Sequence, residues 1–146
     1  MDIQSTVADL NLITNIAQCG PDATIAEVRE LLQGSKIGSI VITERKKVKG
    51  IFTERDYLMK IAGHETKKQG LLVSEFMTQN PKSVDLDTKI TDVLELMIQG
   101  RFRHVVVNDK KGELAGVVSI RDLMEFLQAT INDLEKSLKD LAACIV

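Results

Sequence analysis

Residues 50–56, Gly-Ile-Phe-Thr-Glu-Arg-Asp, are repeated in kind as residues 116–122, Gly-Val-Val-Ser-Ile-Arg-Asp. The two heptapeptides agree in residue type at six positions, and an apolar run follows each of them. Two apolar residues between a glycine and a short hydroxyl residue predict a buried strand that ends at Thr53 or Ser119. The residues after the hydroxyl predict a helix whose first turn holds the Asp.

The start of such a helix suits anions and hydroxyl groups. Its free backbone N–H groups and its dipole favour negative charge, and Thr53 and Ser119 are natural N-caps. The Arg of each copy can hold a phosphate with two parallel N–H donors. The Asp of each copy fits poorly beside a phosphate but well beside sugar hydroxyls, as the acidic residue of dinucleotide sites does.

The repeat extends well upstream of the two heptapeptides. Residues 22–32 and 87–97 each predict an amphipathic helix, since apolar residues recur at three- and four-residue steps. The candidate start signals are Asp22 or Thr24 in the first helix and Asp87 or Thr88 in the second. A β-branched run follows each helix, at residues 40–42 and 105–107, and leads into a charged turn. Each unit therefore reads helix, strand, turn, strand, helix.

This doubled pattern resembles the cystathionine-β-synthase (CBS) domain over roughly residues 7–128. Besides the two Gly-x-x-Thr/Ser-x-x-Asp motifs, the resemblance rests on residues 103–107 and on residues 73–81, where the second repeat begins. With its helical tail, the chain is similar to small stand-alone bacterial proteins made of one CBS pair. The resemblance implies a mixed α+β fold of two βαββα repeats, packed about a pseudo-twofold axis and followed by an amphipathic helix. The expected boundaries are 7–63 for repeat one, 64–72 for a linker, 73–128 for repeat two and 129–146 for the C-terminal helix.

Proteins of that family bind adenosine compounds in two clefts between the repeats. The resemblance assigns to one cleft Thr53, Arg55 and Asp56, faced by Thr78, Asn80, Arg103 and His104. It assigns to the other Ser119, Arg121 and Asp122, faced by Thr14, Asn15, Gly38 and Ser39. Each Asp would hold ribose hydroxyls, each Thr or Ser would bridge ribose and phosphate, and the Arg side chains would meet phosphates. The cleft that Arg103 and His104 face is expected to bind phosphate more strongly.

Each of these residues also has a purely structural interpretation. The two Asp residues fit as first-turn acids that complement the helix dipole, and Thr53 and Ser119 fit as caps alone. Both Arg side chains fit as solvated surface groups, and His104 fits as a satisfied polar residue at a strand start. Arg121 either strengthens the second cleft or blocks it by pairing with Asp122.

Composition excludes several classes of function. A net charge of −2 with both signs mixed gives no basic stripe for nucleic acid, and no apolar run reaches the ~20 residues of a membrane span. The start of the chain lacks the pattern of a signal peptide, and Cys19 and Cys144 form no metal-ligand spacing, which favours a reducing cytoplasm. The sequence shows neither a candidate nucleophile nor a Gly-rich phosphate loop, so it gives no indication of an enzyme. With four Phe, one Tyr and no Trp, an adenine is expected between aliphatic side chains such as Ile51, Val117 and Ile40.

The C-terminal segment has an apolar repeat of its own. Its members alternate four- and three-residue steps, the a/d pattern of a coiled coil: Leu127, Ile131, Leu134, Leu138, Leu141 and Ile145. Two interpretations stay open, a helix folded back on its own protomer and a dimer seam.

These observations predict a cytoplasmic regulatory module without catalytic cofactor or metal. It is expected to bind an adenine nucleotide, AMP first and ADP, ATP, NAD(H) or S-adenosylmethionine as alternatives, and to signal by conformational change to an unknown protein partner. The protein is expected to form a homodimer. It is not expected to bind nucleic acid or a membrane. The alternative is a ligand-free adaptor dimer that acts through its C-terminal helix.

Overall fold

The computed structural model describes residues 4–12 and 16–145. Thr14 and Asn15, which were predicted to face the second cleft, lie outside the described residues. The described chain forms a four-stranded and a three-stranded sheet flanked by helices. The predicted α+β fold of two βαββα repeats is confirmed.

Repeat one brings its motif into a sheet with the preceding strand. Its elements are β1 (Gln18–Cys19), α1 (Ile25–Gly34), β2 (Ser39–Glu44), β3 (Lys47–Thr53) and α2 (Glu54–Lys60). Strand β1 pairs with β2 in parallel, and β2 pairs with β3 antiparallel. A short helix α3 (Glu65–Lys68) and a short strand β4 (Thr78–Gln79) follow. Strand β4 joins the free edge of β3, so the first residues of repeat two complete the sheet of repeat one.

Repeat two follows the same order. Its elements are β5 (Ser83–Asp85), α4 (Ile90–Gly100), β6 (His104–Asn108), β7 (Leu114–Ser119) and α5 (Ile120–Ile145). The two repeats also share a local hydrogen bond at the helix that follows the motif. The Glu54 N–H donates to the carbonyl of Gly38 at 3.0 Å, and the Ile120 N–H donates to the carbonyl of Arg103 at 2.8 Å. The sequence repeat is therefore also a repeat in backbone geometry.

The helix starts were predicted with mixed success. Thr24 caps α1 in a capping box, in which its hydroxyl accepts the Glu27 N–H and the Glu27 carboxylate accepts the Thr24 N–H. The prediction for α4 was wrong, because that helix begins after Lys89, which makes no side-chain cap. The hydroxyl of Thr88 instead accepts the N–H of Asp85, so it stabilises the preceding turn.

The two repeats exchange their entry segments. Val7 is fully buried in the core of repeat two, and its N–H donates to the Thr88 carbonyl at 2.9 Å. Val73 is fully buried in the core of repeat one, and its N–H donates to the Ala23 carbonyl at 2.8 Å. A third cluster, around Val41 of β2 and Val117 of β7, joins the two sheets. Each repeat thus depends on the other to close its core.

Helix α5 continues far beyond its first turn. Its 26 residues span about 39 Å, and it continues without a break through residues 128 and 129. Leu123 is buried, whereas the apolar residues from Ile131 to Ile145 are between 51% and 80% exposed. The interpretation of a helix folded back on its own protomer is therefore wrong for this stripe.

Gly50 allows β4 to approach β3, and this gives a stability prediction. A Cβ atom at Gly50 would lie 2.9 Å from the Thr78 carbonyl oxygen and even closer to the Met77 side chain. We expect Gly50→Ala to lower the free energy of unfolding by about 1–3 kcal/mol, because overpacking forces backbone and side chains to shift. Urea-induced unfolding followed by circular dichroism measures the change.

Gly34→Ala is the matched control. No atom lies within 4 Å of a Cβ built at Gly34, the last residue of α1, so that variant should unfold at the same urea concentration or at a slightly higher one. Equal midpoints for the two variants would contradict the close-approach role of Gly50.

Candidate functional site

A cleft of about 990 Å³ lies where the two repeats meet. It is lined by the end of β3, the start of α2, residues 78–82 and residues 100–104. All seven residues predicted for the first cleft line it: Thr53, Arg55, Asp56, Thr78, Asn80, Arg103 and His104. Gly38, predicted for the second cleft, lines this one too. The structure therefore brings the first predicted set together.

The first turn of α2 is organised by Asp56. Its Oδ2 atom accepts the N–H of Thr53 at 2.9 Å and the hydroxyl of Thr53 at 3.0 Å, while the Asp56 N–H donates back to that hydroxyl at 3.2 Å. Thr53 is thus an N-cap and Asp56 completes a capping box. The structural interpretation of both residues is confirmed, and it leaves their predicted contact with a ligand untested.

Lys60 connects Asp56 to the other repeat. Its ammonium group lies 3.0 Å from Asp56 Oδ1 and donates to the carbonyl of Phe76 at 2.7 Å. Phe76 belongs to the entry segment of repeat two and packs on the core of repeat one. The carboxylate is thus held in place from two sides. Each of its oxygens has two acceptor positions, so Oδ1 can accept a ligand hydroxyl beside Lys60.

The motif of repeat two has the same local geometry. Oδ2 of Asp122 accepts the N–H of Ser119 at 2.7 Å and its hydroxyl at 2.8 Å. The Arg121 side chain is 84% exposed and its Nε pairs with Glu125 at 3.2 Å. The idea that Arg121 blocks the second cleft by pairing with Asp122 is therefore wrong in this structure.

Ser39 was predicted to face the second cleft from repeat one. Its side chain is fully buried, and its hydroxyl has no hydrogen-bond partner among the described residues. In the sheet it pairs with Thr53, as His104 pairs with Ser119. A buried hydroxyl without a partner is unfavourable, but Ser39 has no accessible surface, so its predicted contact with a ligand stays untested.

Positive charge gathers in the first cleft. Its lining has four cationic side chains, Arg55, Lys82, Arg101 and Arg103, and two acidic ones, Glu54 and Asp56. Four minus two leaves a local charge of +2, in a chain whose net charge is −2. Such a local field attracts anions. Arg55 and Arg103 were predicted for this cleft from the sequence, whereas Lys82 and Arg101 were not.

His104 joins the two repeats at the floor of this cleft. Its Nε2 lies 2.7 Å from the carbonyl oxygen of Ile37, so Nε2 carries the hydrogen and donates it. Burial lowers the pKa of His104 below its usual value, and this outweighs the Ile37 hydrogen bond and the charges of Glu54 and Asp122. The prediction that His104 is a hydrogen-bonded polar residue at a strand start is confirmed for Nε2. Its predicted contact with a phosphate is untested.

Glu54 is an acidic group that sequence analysis did not place in the site. Gly38 has a φ of 66°, and a Cβ there would lie 2.7 Å from the Glu54 carboxyl carbon. Glycine adopts this left-handed conformation with little strain, and it leaves room for the carboxylate where that group lies here. The position of Glu54, directly after the N-cap, carried no sign of this contact, since it depends on the loop that ends at Gly38.

The apolar part of the cleft differs from the prediction. Ile51 lines it, as expected for a base contact, but Ile40 is fully enclosed in the core of repeat one. Phe102 lines the cleft as well, and Gly100 leaves room for its ring, which would collide with a Cβ at that position. Phe102 was not predicted, because the small number of aromatic residues in the chain argued against an aromatic base contact. Its position between Arg101 and Arg103 would have indicated that it lies near the phosphate-binding residues.

Residues 4–12 and 16–145 contain neither a metal-binding cluster nor a membrane-spanning helix. No group of three or more His, Cys, Asp or Glu side chains is arranged to hold a metal ion. None of the helices is both long enough and apolar enough to cross a membrane.

Comparison with known sequences agrees with the fold. The profile of the CBS domain matches residues 7–63 and 73–129. An uncharacterised 17.7 kDa protein of Acidianus ambivalens is 35% identical over 115 residues, which are 78% of this chain and 68% of that protein. The CBS domain-containing protein CBSCBSPB1 of Arabidopsis thaliana is 33% identical over 107 residues, 73% of this chain, which spans 20% of that longer protein.

Solved structures share the architecture. The CBS-domain protein ATU1752 of Agrobacterium tumefaciens superimposes with a TM-score of 0.76 and 35% identity over 86% of this chain and 95% of that one. CBSX2 in complex with AMP gives 0.74 at 22% identity, over 86% of this chain and 98% of that one. The cytosolic domain of the Mg²⁺ channel MgtE in complex with ATP gives 0.68 at 22% identity, over 84% and 49%.

The profile covers most of the chain in two consecutive matches that coincide with the two structural repeats. The relatives of 33% and 35% identity point to the same family. The chain belongs to the CBS-domain family, as a tandem pair of CBS domains.

Proposed function

We propose that this CBS pair is a regulatory module that binds an adenine nucleotide in the cleft between its repeats. The observation that carries the proposal is the meeting of three chemistries in one cleft of about 990 Å³: a local charge of +2, a fixed carboxylate and an apolar wall. Phosphate, ribose and base require these three environments. The volume lies at the upper end of the range for small-molecule sites.

Each part of the nucleotide would meet a different part of the cleft. Asp56 would accept ribose hydroxyls, because its carboxylate is already oriented by Thr53 and Lys60. Arg55 and Arg103 would hold the phosphate. The base would lie against Ile51 and Phe102, both of which line the cleft.

Charge favours AMP among the candidate nucleotides. A phosphomonoester carries about −1.5 to −2 at pH 7, which matches the local charge of +2. ADP and ATP carry more negative charge than these side chains balance, and S-adenosylmethionine carries none on a phosphate. Related folds crystallised with AMP and with ATP support adenine nucleotides as the class.

Regulation would follow from the position of the cleft. The start of α2 belongs to repeat one, whereas residues 78–82 and 100–104 belong to repeat two. A ligand held by both repeats binds one relative arrangement better than others and shifts the protein toward it. We propose that a partner protein reads this arrangement, in the cytoplasm and without catalysis by the module itself. A ligand-free adaptor that acts through α5 is the second candidate, favoured by the exposed stripe of that helix.

A thermal-shift series with AMP, ADP, ATP, NADH and S-adenosylmethionine tests the proposed ligand. AMP is expected to raise the melting temperature most, since a ligand at a hundredfold excess over Kd adds about 2.7 kcal/mol of stability. Asp56→Ala is expected to lose the AMP-induced shift. Asp122→Ala is expected to keep it if the first cleft is the stronger one.

The control for this series must account for the capping box. Asp56→Ala removes a helix cap worth about 0.3–1.5 kcal/mol, so it lowers the melting temperature of the free protein. Glu27→Ala removes the corresponding carboxylate of the α1 capping box, in a residue that does not line the cleft, and should keep the AMP shift. A parent protein that no nucleotide shifts would favour the adaptor instead.

The stability of the free protein is expected to depend on His104 and pH. Because burial lowers the pKa of folded His104, the unfolded state binds the proton more tightly. Stability associated with this residue is therefore fully present above the unfolded pKa of about 6.5 and is lost as pH falls through the lower folded pKa. Urea unfolding at a series of pH values should show a steeper acid-side loss for the parent than for His104→Gln.

A nucleotide should oppose this loss. A phosphate near His104 favours the protonated ring, so binding to the parent should strengthen, relative to His104→Gln, as pH falls from neutrality. Comparing the two proteins with one ligand cancels the titration of the ligand phosphate itself. Parallel affinity curves for the two proteins would place the phosphate away from His104.

A further inference from the structure

The C-terminal part of α5 presents a continuous apolar stripe to solvent. Exposure rises along it from 39% at Leu127 to 80% at Ile145. Its other members are Ile131, Leu134, Leu138 and Leu141, which are 51%, 59%, 65% and 61% exposed. These six side chains repeat the a/d spacing over almost three heptads.

The stripe is too narrow for a helix that packs on its own domain. Core-facing helices usually add apolar residues at e or g and so widen the stripe, whereas a strict a/d stripe is the seam of a coiled coil. Here the e and g positions hold small or polar residues: Gln128, Thr130, Glu135, Ser137, Ala142 and Cys144. The pattern therefore suits a second helix as the occupant.

We propose that α5 pairs in parallel and in register with α5 of a second copy of this chain, forming a two-stranded coiled coil from Leu127 to Ile145. The a positions are Ile131, Leu138 and Ile145, and the d positions are Leu127, Leu134 and Leu141. Isoleucine at a with leucine at d favours two parallel strands over higher oligomers. Leu138 is the single a position of this seam without a β-branched residue.

Charge also favours the parallel arrangement. In register, Thr130 faces Glu135 of the other copy and Ser137 faces Ala142, so no like charges meet. In an antiparallel pair that places Leu127 opposite Ile145, the two copies of Glu135 would face each other, which is unfavourable. Lys136, Lys139 and Asp140 lie at the outer f, b and c positions. This proposal does not depend on nucleotide binding.

The test places a fluorescent probe at Cys144, which is exposed near the end of α5. Pyrene maleimide is attached there in a Cys19→Ser background, because Cys19 is the other free thiol of the described chain. Parallel pairing brings the two probes to the same level and gives excimer emission. Antiparallel pairing as above would separate them by ~24 Å along the axis.

Two double variants with matched changes decide the outcome. Leu134→Glu with Leu141→Glu buries charge at two d positions and should weaken the pairing at least about a hundredfold, with loss of the excimer. Lys136→Glu with Lys139→Glu changes charge on the outer face and should keep the excimer. Circular dichroism checks that both variants stay folded, since all four side chains lie outside the domain cores.

Sedimentation velocity over a wide concentration range gives the second readout. If α5 alone joins the copies, the d-position variant becomes monomeric; if another surface also joins them, mass stays dimeric while the excimer disappears. Both results support the pairing. A parent without excimer emission at the highest concentration, or an excimer that survives Leu134→Glu with Leu141→Glu, overturns it.

Discussion

The structure depends on a reciprocal exchange, in which each repeat closes the core of the other. Val7 and Val73 are both fully buried, each in the core of the repeat to which it does not belong in sequence. A unit of about 60 residues buries a small fraction of its surface and is only marginally stable alone. The exchange increases the buried surface of both repeats and joins them into one folded unit. The cleft is a consequence of this arrangement. It opens at the junction that the exchange creates, and for that reason residues of both repeats line it.

The carboxylates of Asp56 and Asp122 combine structural and chemical roles. Each holds the first turn of a helix through its Oδ2 atom, which fixes the direction of the carboxylate without any ligand. Preorganised groups of this kind lose less entropy when a ligand binds. The structural interpretation and the proposed ligand contact are therefore compatible, and a substitution at either residue changes both. This is why a second capping box, at Thr24 and Glu27, is a more informative comparison than the unmodified protein.

Features set by local chemistry could be predicted from the sequence, and features set by the meeting of distant segments could not. The starts of α1 and α2 were predicted, because a capping box involves residues three positions apart. The predicted start of α4 was wrong because the Thr88 hydroxyl can either cap a helix or accept a hydrogen bond in a turn. Here it accepts the N–H of Asp85 in the preceding turn. Glu54, Lys82 and Phe102 were missed in the cleft, since their presence there depends on which loops lie side by side. Likewise, the a/d spacing of α5 could not tell a covered stripe from an exposed one until the domain beneath it was known.

Helix α5 links the second motif to the exposed stripe. Asp122 holds its first turn against Ser119, and the same helix continues unbroken to Ile145. A continuous helix transmits a tilt at one end to the other with little loss, since each backbone hydrogen bond constrains the next turn. A ligand that moved Ser119 and Asp122 would therefore reorient the stripe about 35 Å away. In repeat one, α2 ends at Lys60, so no comparably long helix begins at the first cleft. The positively charged cleft therefore lies at the start of a short helix, whereas the motif of repeat two begins the long helix that carries the exposed stripe.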